Sequence, residues 1–228
     1  MKAPIYSLRL ANTSDRDWTF FVYQAPVERD ERIASLVWIA SPSRVPAGSH
    51  ALLMWYAEPS FIWSTHSQHP TPMPFTASGQ FAVDLGADHG VLFNLDNNAP
   101  SFEACNRTVA PGAWTIAVED NVPDHTYLIG TCMDGARTLA STATTSRQYD
   151  FTPDYCIAAA HNVSAASVVD NSRHDPTLTV SFPANVYTLS FYLDGQHHWH
   201  PGTPCGLAGG VDAMRLSPGS SRTLSPPP

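Results

Sequence analysis

The sequence predicts an all-β protein, mainly antiparallel and arranged as a β-sandwich. Short apolar runs recur along the chain and are separated by Gly, Pro, Ser and Asn, which is the pattern of strands joined by turns. The 20 prolines interrupt the chain too often for long helices. No stretch shows sustained helical periodicity, and many short strands at regular spacing are typical of sandwiches.

The stretch 36–64 is the predicted nucleus of the core. It holds Trp38, Trp55 and Trp63 within three apolar runs that Pro, Gly and Ser separate. Large aromatic side chains bury much apolar surface, so we expect these runs to be strands that anchor the core.

Alternation of apolar and polar residues indicates the first strand, where Tyr6, Leu8 and Leu10 share one face. The same reasoning predicts strands at 5–12, 18–24, 36–39, 52–56, 61–63, 80–85, 91–95, 113–118, 127–132, 138–147, 149–151, 155–160, 178–182 and 186–193. The first two are expected to form a hairpin. Asp134 and Gly135 predict a tight turn, and the turn-rich stretch 96–111 predicts a long connection.

The length of 228 residues fits one large all-β domain or two small ones. We expect two packed sandwich halves, at 1–100 and 101–200. A tail rich in Pro, Gly and Ser follows at 201–228 and is expected to be loosely ordered. The hydrophobic content of 43% is enough for a substantial core.

Charge and hydropathy narrow the class of protein. The formal net charge is -8 and no basic run offsets it, which disfavours binding to nucleic acid. No run approaches the ~18 apolar residues of a membrane-spanning helix. The N-terminal residues lack the apolar core of a signal peptide, so we expect a cytoplasmic protein or one exported without a conventional signal.

The four cysteines are Cys105, Cys132, Cys156 and Cys205. They form no CxxC pair and match no zinc module. Three disulfide pairings are open, and reduced thiols are favoured because no signal peptide is present.

A histidine cluster at 197–200 is the first candidate site. His197, His198 and His200 surround Trp199 after a strand. Residues at i and i+2 on a strand point the same way, so His198 and His200 could share a divalent metal. The alternative is a polar hairpin tip after the Asp194 turn. A second pair, His66 and His69, lies in a Pro-rich loop.

Glu58 is the second candidate, because it lies between Trp55 and Trp63. A carboxylate among aromatic rings is a common way to build a sugar site. Trp199 is a further aromatic candidate for ligand binding. The alternative is that these aromatics are core and that Glu58 ends a strand before Pro59.

Six short aromatic patches resemble the RhiA family of plant-associated bacteria. In order they are WTFFVYQAP at 18–26, SLVWI at 35–39, WYAEPSFIWS at 55–64, QFA at 80–82, YDFTPDYCI at 149–157 and FPANVYTL at 182–189. The resemblance runs from Tyr6 to about Trp199. It implies a soluble rhizosphere protein whose production is tied to cell density through quorum sensing, and it brings no catalytic residues.

The sequence therefore predicts a RhiA-like, non-enzymatic binding protein that recognises a carbohydrate or small ligand in rhizosphere or host interaction. No GxSxG, HExxH, P-loop or GxGxxG motif is present, and no cofactor is expected. One alternative is a metal-binding protein or metal-dependent enzyme that uses the 197–200 cluster. Another is a self-assembling protein whose sheet edges pair with copies of itself. The oligomeric state stays open.

Overall fold

Sixteen β-strands form the secondary structure in the computed structural model, which describes residues 3–26, 33–65, 78–83, 90–105, 114–169 and 176–204. These ranges contain no helix. The strands are β1 (Ile5–Asn12), β2 (Thr19–Pro26), β3 (Ala34–Ser35), β4 (Ile39–Ala40), β5 (His50–Tyr56), β6 (Pro59–Ser64), β7 (Gly79–Ala82), β8 (Gly90–Asp96), β9 (Ala99–Ala104), β10 (Trp114–Val118), β11 (Leu128–Met133), β12 (Ala136–Thr142), β13 (Gln148–Ala160), β14 (Thr177–Val180), β15 (Thr188–Leu193) and β16 (Trp199–Pro201).

The strands form three sheets. Sheet I has the order β16-β15-β1-β5. Sheet II has the order β4-β2-β13-β10-β8-β9, with β14 also paired to β13. Sheet III has the order β3-β12-β11-β6-β7. Two pairs are parallel, β1 with β15 and β8 with β10, and the other described pairs are antiparallel. The all-β, mainly antiparallel prediction is confirmed.

Sheet II packs against both of the other sheets across one core. Its Tyr155 ring lies 5.5 Å from the Trp55 ring of sheet I, and its Phe93 ring lies 6.2 Å from the Trp63 ring of sheet III. Trp38 and Trp55 are buried in this core and Trp63 packs against it half-buried. The predicted nucleus at 36–64 is therefore confirmed as part of the core.

All three sheets combine strands from both sides of residue 100. In sheet I, β1 lies between β5 and β15, and in sheet II, β2 pairs with β13. The expected boundary between 1–100 and 101–200 therefore does not coincide with a boundary between sheets.

The predicted hairpin between the first two strands is wrong. Strand β1 pairs with β15 and β5, whereas β2 belongs to sheet II. The polar turn that joins β1 to β2 carries the chain from one layer of the sandwich to the other.

The predicted connection at 96–111 contains a strand, β9, that was not predicted. Asn97 and Asn98 both have positive φ, at 49° and 64°, and join β8 to β9 in a hairpin. Positive φ at both central residues is the geometry of a type I′ turn. The predicted strands at 149–151 and 155–160 are one strand, β13.

The predicted tight turn is confirmed, because Asp134 and Gly135 have positive φ between β11 and β12. Cys105, Cys132 and Cys156 form no disulfide among the described residues. The predictions for Cys205, for His66 and His69, and for the tail beyond residue 204 fall on residues outside the described ranges.

Candidate functional site

The predicted aromatic site residues lie in separate parts of the sandwich. Trp55 on β5 is buried, whereas Trp63 on β6 and Trp199 on β16 are half-buried. Trp63 packs against Phe93, and Trp199 packs against Phe20. These three tryptophans make no ring contact with one another in the part of the chain that the structure describes.

Glu58 is exposed at the turn between β5 and β6. Its backbone N–H donates to the Tyr56 carbonyl at 2.9 Å, and its own carbonyl accepts from Asp134 N–H at 3.2 Å. The sugar-site role predicted for Glu58 stays a prediction, and Trp55 faces the interior instead.

Trp55 is the centre of a group of aromatic rings, here named the Trp55 cluster. Tyr6 lies beside it on β1 as the register partner of Trp55, and Tyr187, which precedes β15, packs against Tyr6 at 5.5 Å. The others come from sheet II and the connections around it. The full set is Tyr6, Trp38, Trp55, Tyr155, Phe182 and Tyr187.

The rings of the Trp55 cluster pack in edge-to-face, tilted and stacked pairs. The Trp55 centroid lies 4.9 Å from that of Trp38, 5.5 Å from Tyr155 and 5.8 Å from Phe182. Tyr6 meets Phe182 at 4.6 Å. These are the separations at which aromatic pairs attract. Tyr6, Tyr155 and Phe182 are half-buried, so they separate the buried indoles from solvent.

Two buried polar groups in this region have no hydrogen-bond partner. The Gln24 side chain is completely buried, and neither Oε1 nor Nε2 is bonded. Trp55 Nε1 is also buried without a partner. Gln24 follows Phe20 and Val22 on the inward face of β2, and its cross-strand partner is Tyr155. Buried polar groups are rarely left unpaired in folded proteins.

A β-bulge places Tyr155 opposite Gln24. Between Phe151 and Tyr155 the β13 register shifts, so that three residues of β13 lie opposite one residue of β2. Bulges re-aim side chains and are common beside binding sites.

The phenols of Tyr6 and Tyr155 stay neutral at ordinary pH. Burial raises the pKa of Tyr155, and the nearby Tyr6 hydroxyl raises it further. Burial and Tyr187 raise the pKa of Tyr6. The Trp55 indole is close enough to Tyr155 to oppose this rise slightly, yet no acceptor meets Nε1 with hydrogen-bond geometry. The cluster therefore offers neutral hydroxyl, amide and indole groups between aromatic faces.

The predicted histidine cluster is a hairpin tip between β15 and β16. Asp194 Oδ1 accepts the backbone N–H groups of Gln196 and His198, and Oδ2 lies 2.6 Å from His200 Nε2. The backbone bond from His198 and the side-chain bond with His200 lower the pKa of Asp194 to about 2.

The three histidines of this tip point to different neighbours. His197 packs edge-on against Trp18, His198 is exposed, and His200 stacks on Tyr192 at 4.9 Å. No group of three or more His, Cys, Asp or Glu side chains that could hold a metal occurs among the residues that the structure describes. Metal binding by His198 and His200 stays a prediction.

Gln24, Tyr6, Tyr155, Phe182 and Tyr187 were not predicted as site residues. One signal was visible in the sequence, because Gln24 occupies an inward position of an otherwise apolar alternation with Phe20 and Val22. The residues that face it come from distant strands, which no local pattern identifies.

The comparisons with known proteins agree on one family. The family model for RhiA matches residues 3–201. Protein RhiA from Rhizobium leguminosarum bv. viciae is 31% identical over 196 residues, which cover 85% of this chain and 84% of that protein. No solved structure matches the chain. None of the described residues forms a helix able to cross a membrane. The chain belongs to the RhiA family.

Proposed function

We propose that this RhiA family member is a non-enzymatic binding protein that takes a carbohydrate or another small neutral ligand at the Trp55 cluster. The observation that carries the proposal is the completely buried Gln24 carboxamide, whose two polar atoms have no partner. It lies beside Tyr155, and therefore beside a group of six aromatic rings.

The chemistry of the Trp55 cluster selects the class of ligand. Aromatic rings stack on apolar faces, such as the C–H faces of sugars. The Gln24 amide supplies donors and an acceptor, and the Trp55 indole supplies a donor. Because the Trp55 cluster contains no Asp, Glu, Lys or Arg side chain, the site favours a neutral ligand. Small-molecule sites commonly combine apolar walls with a few placed polar groups.

The half-buried rings supply the entrance in this proposal. Tyr6 and Phe182 lie on the solvent side of Trp55 and touch each other at 4.6 Å. Phe182 precedes a turn at Asn185, which has a positive φ of 62°. Rotation of the Phe182 and Tyr6 rings would open a path to Trp55 and Gln24. The biological setting that we propose is the rhizosphere or contact with a host, with production tied to cell density.

A ligand screen with a matched variant tests this function. Glycan arrays and a panel of mono- and oligosaccharides would be applied to the purified protein, with binding followed by tryptophan fluorescence and calorimetry. Gln24→Met keeps the length of the side chain and removes its polar atoms. We expect a folded protein whose affinity for the bound sugar falls about tenfold or more, since hydrogen bonds to that ligand are lost.

Gln148→Met is the control, because Gln148 is an exposed glutamine on β13, outside the Trp55 cluster. It should bind as tightly as the wild-type protein. No binding across the panel, together with ordered water alone beside Gln24 in a crystal structure, would overturn the proposal. An equal loss of affinity in both variants would also contradict it.

A further inference from the structure

Strand β5 is an edge strand of sheet I among the described residues. Ala57 N–H donates to the Pro4 carbonyl, and Asn12 N–H donates to the Ser49 carbonyl. Along an antiparallel strand, successive residues direct their peptide N–H and C=O groups alternately toward the paired strand and away from it. The odd-numbered residues of β5 therefore bond to β1, and the peptide groups of Leu52 and Met54 point away from it. Among the described residues, no strand pairs with that outer side of β5.

The same residues carry an apolar surface. Leu52 and Met54 are 48% and 58% exposed, and Tyr56 is also exposed. Exposed Ile5 on β1 is the register partner of Tyr56, so the four side chains form one patch on the outer face of sheet I. Half-exposure of four such side chains leaves roughly 350 Å² of apolar surface, which is within the range of functional patches.

The other described edge strands are protected. β3, β4, β7, β14 and β16 have four residues or fewer, and β16 includes Pro201. β9 has six residues, but Pro100 and Glu103 lie within it. β5 has seven residues, HALLMWY, with no Pro, Lys, Arg, Asp or Glu. Proteins protect free edges with short strands, proline and charge. Along residues 50–54, β5 has none of these devices, and only at its end does the Asp134 carboxylate accept the outward Tyr56 N–H.

We propose that β5 is the surface through which two copies of this chain associate, as antiparallel neighbours in one continuous sheet. A two-fold axis near Leu53 sets Leu52 of one copy opposite Met54 of the second copy. It also brings His50 of one copy next to the far end of β5 in the second copy, where Glu58 and Asp134 are exposed. The apolar residues then face each other, and the histidine end meets the acidic end.

A second copy fits this edge because the surface is complementary to itself. An interface of this kind is isologous, with the same residues contributed by each subunit. The apolar area is about half of the ~800 Å² that each partner contributes to a standard interface. We therefore expect a weak dimer, with a Kd of about 10 μM.

Sedimentation velocity from about 1 to 300 μM protein tests the association around the Kd expected for such a small interface. We expect the wild-type protein to pass from monomer to dimer. Met54→Lys should weaken the dimer at least tenfold, because each copy would then bury a lysine charge opposite Leu52 of the other copy. Leu52→Lys should do the same. Val168→Lys is the control, since Val168 is exposed outside sheet I, and it should dimerise like the wild-type protein.

Hydrogen exchange shows whether the outer edge of β5 forms the contact between the two copies. The amides of Leu52 and Met54 should exchange more slowly as protein concentration rises, whereas the Leu53 amide, already bonded to β1, should not respond. A monomer at every concentration would overturn the proposal. A dimer that leaves the Leu52 and Met54 amides unprotected would overturn it as well, because association would then use another surface.

Discussion

Asn12 and Gln24 are both completely buried carboxamides, and each belongs to a region with a buried indole. Asn12 Nδ2 donates to the carbonyls of Arg16 and Val45, and its Oδ1 accepts the N–H and hydroxyl of Ser14. The Ser14 hydroxyl oxygen accepts from Trp18 Nε1 at 2.9 Å. Every polar atom of this first amide–indole pair has a partner.

The second pair, Gln24 and Trp55, has none. Asn12 ends β1, where the turn at 13–17 brings backbone carbonyls and hydroxyls to it. Gln24 faces the middle of the sandwich, where its cross-strand partner is Tyr155. An unpaired buried polar group costs about 1–3 kcal/mol, and the chain carries this cost at Gln24 although it avoids it at Asn12. This contrast is why we place the proposed site at Gln24.

The largest expected effect is on the free energy of unfolding, which two substitutions should change in opposite directions. Asn12→Leu should lower the free energy of unfolding by about 3 kcal/mol, because it leaves the partners of the amide unpaired. Gln24→Met should raise it by about 1 kcal/mol, because an unpaired amide is replaced by an apolar group of similar length. Urea denaturation measures both. A comparable loss in both variants would show that Gln24 is satisfied by ordered water.

The two indoles allow a smaller test of the same contrast. Trp18→Phe and Trp55→Phe both remove aromatic surface from the core, but only Trp18→Phe removes a hydrogen bond. We expect Trp18→Phe to cost about 1 kcal/mol more than Trp55→Phe. Thermal and urea unfolding of the two variants would measure this difference. Equal losses of stability in the two variants would contradict the difference between the Asn12 and Gln24 regions.

The smallest expected effect is on the pH dependence of stability at Asp194. Its carboxylate, like the Asn12 amide, has hydrogen-bond partners, but it lies at the surface. Its pKa falls from the ordinary 3.8 to about 2 in the folded protein. The folded state thus favours the ionised carboxyl. The stability it adds is complete above pH 3.8 and is lost as the pH falls toward 2. Asp194→Asn should flatten the acid side of the stability curve in this window.

Matched variants make the Asp194 test specific. His200→Phe keeps a ring against Tyr192 and removes one of the three bonds to the carboxylate, so it should flatten the curve less than Asp194→Asn. An NMR titration of the Asp194 carboxyl would measure its pKa directly. An ordinary value near 3.8 would contradict the hydrogen-bond arrangement of the hairpin tip.

The sequence predicted individual strands better than it predicted which strands pair with one another. Alternation in 5–12 matched the bounds of β1, because the side-chain period of a strand depends only on neighbouring residues. The neighbours of β1 could not be predicted in this way. Ser7 pairs with Thr188, and the hydrogen bond between their side chains joins residues 181 positions apart.

The candidate site shows the same limit. The aromatic run with Trp55 was correctly placed in the core nucleus, and the inward position of Gln24 follows from alternation on β2. The convergence of Tyr155 and Phe182 on Trp55 depends on how sheets I and II face each other. The β13 bulge that sets Tyr155 opposite Gln24 also has no signature in the spacing of apolar residues.

The parallel pairing of β1 with β15 also determines when the protein can finish folding during translation. β1 can pair with β5 once residue 56 has left the ribosome, but its other neighbour begins at residue 188. Tyr6 likewise waits for Phe182 and Tyr187. The Trp55 cluster is therefore among the last parts to assemble, and a nascent chain interrupted before residue 182 would hold most of the core strands without the complete site.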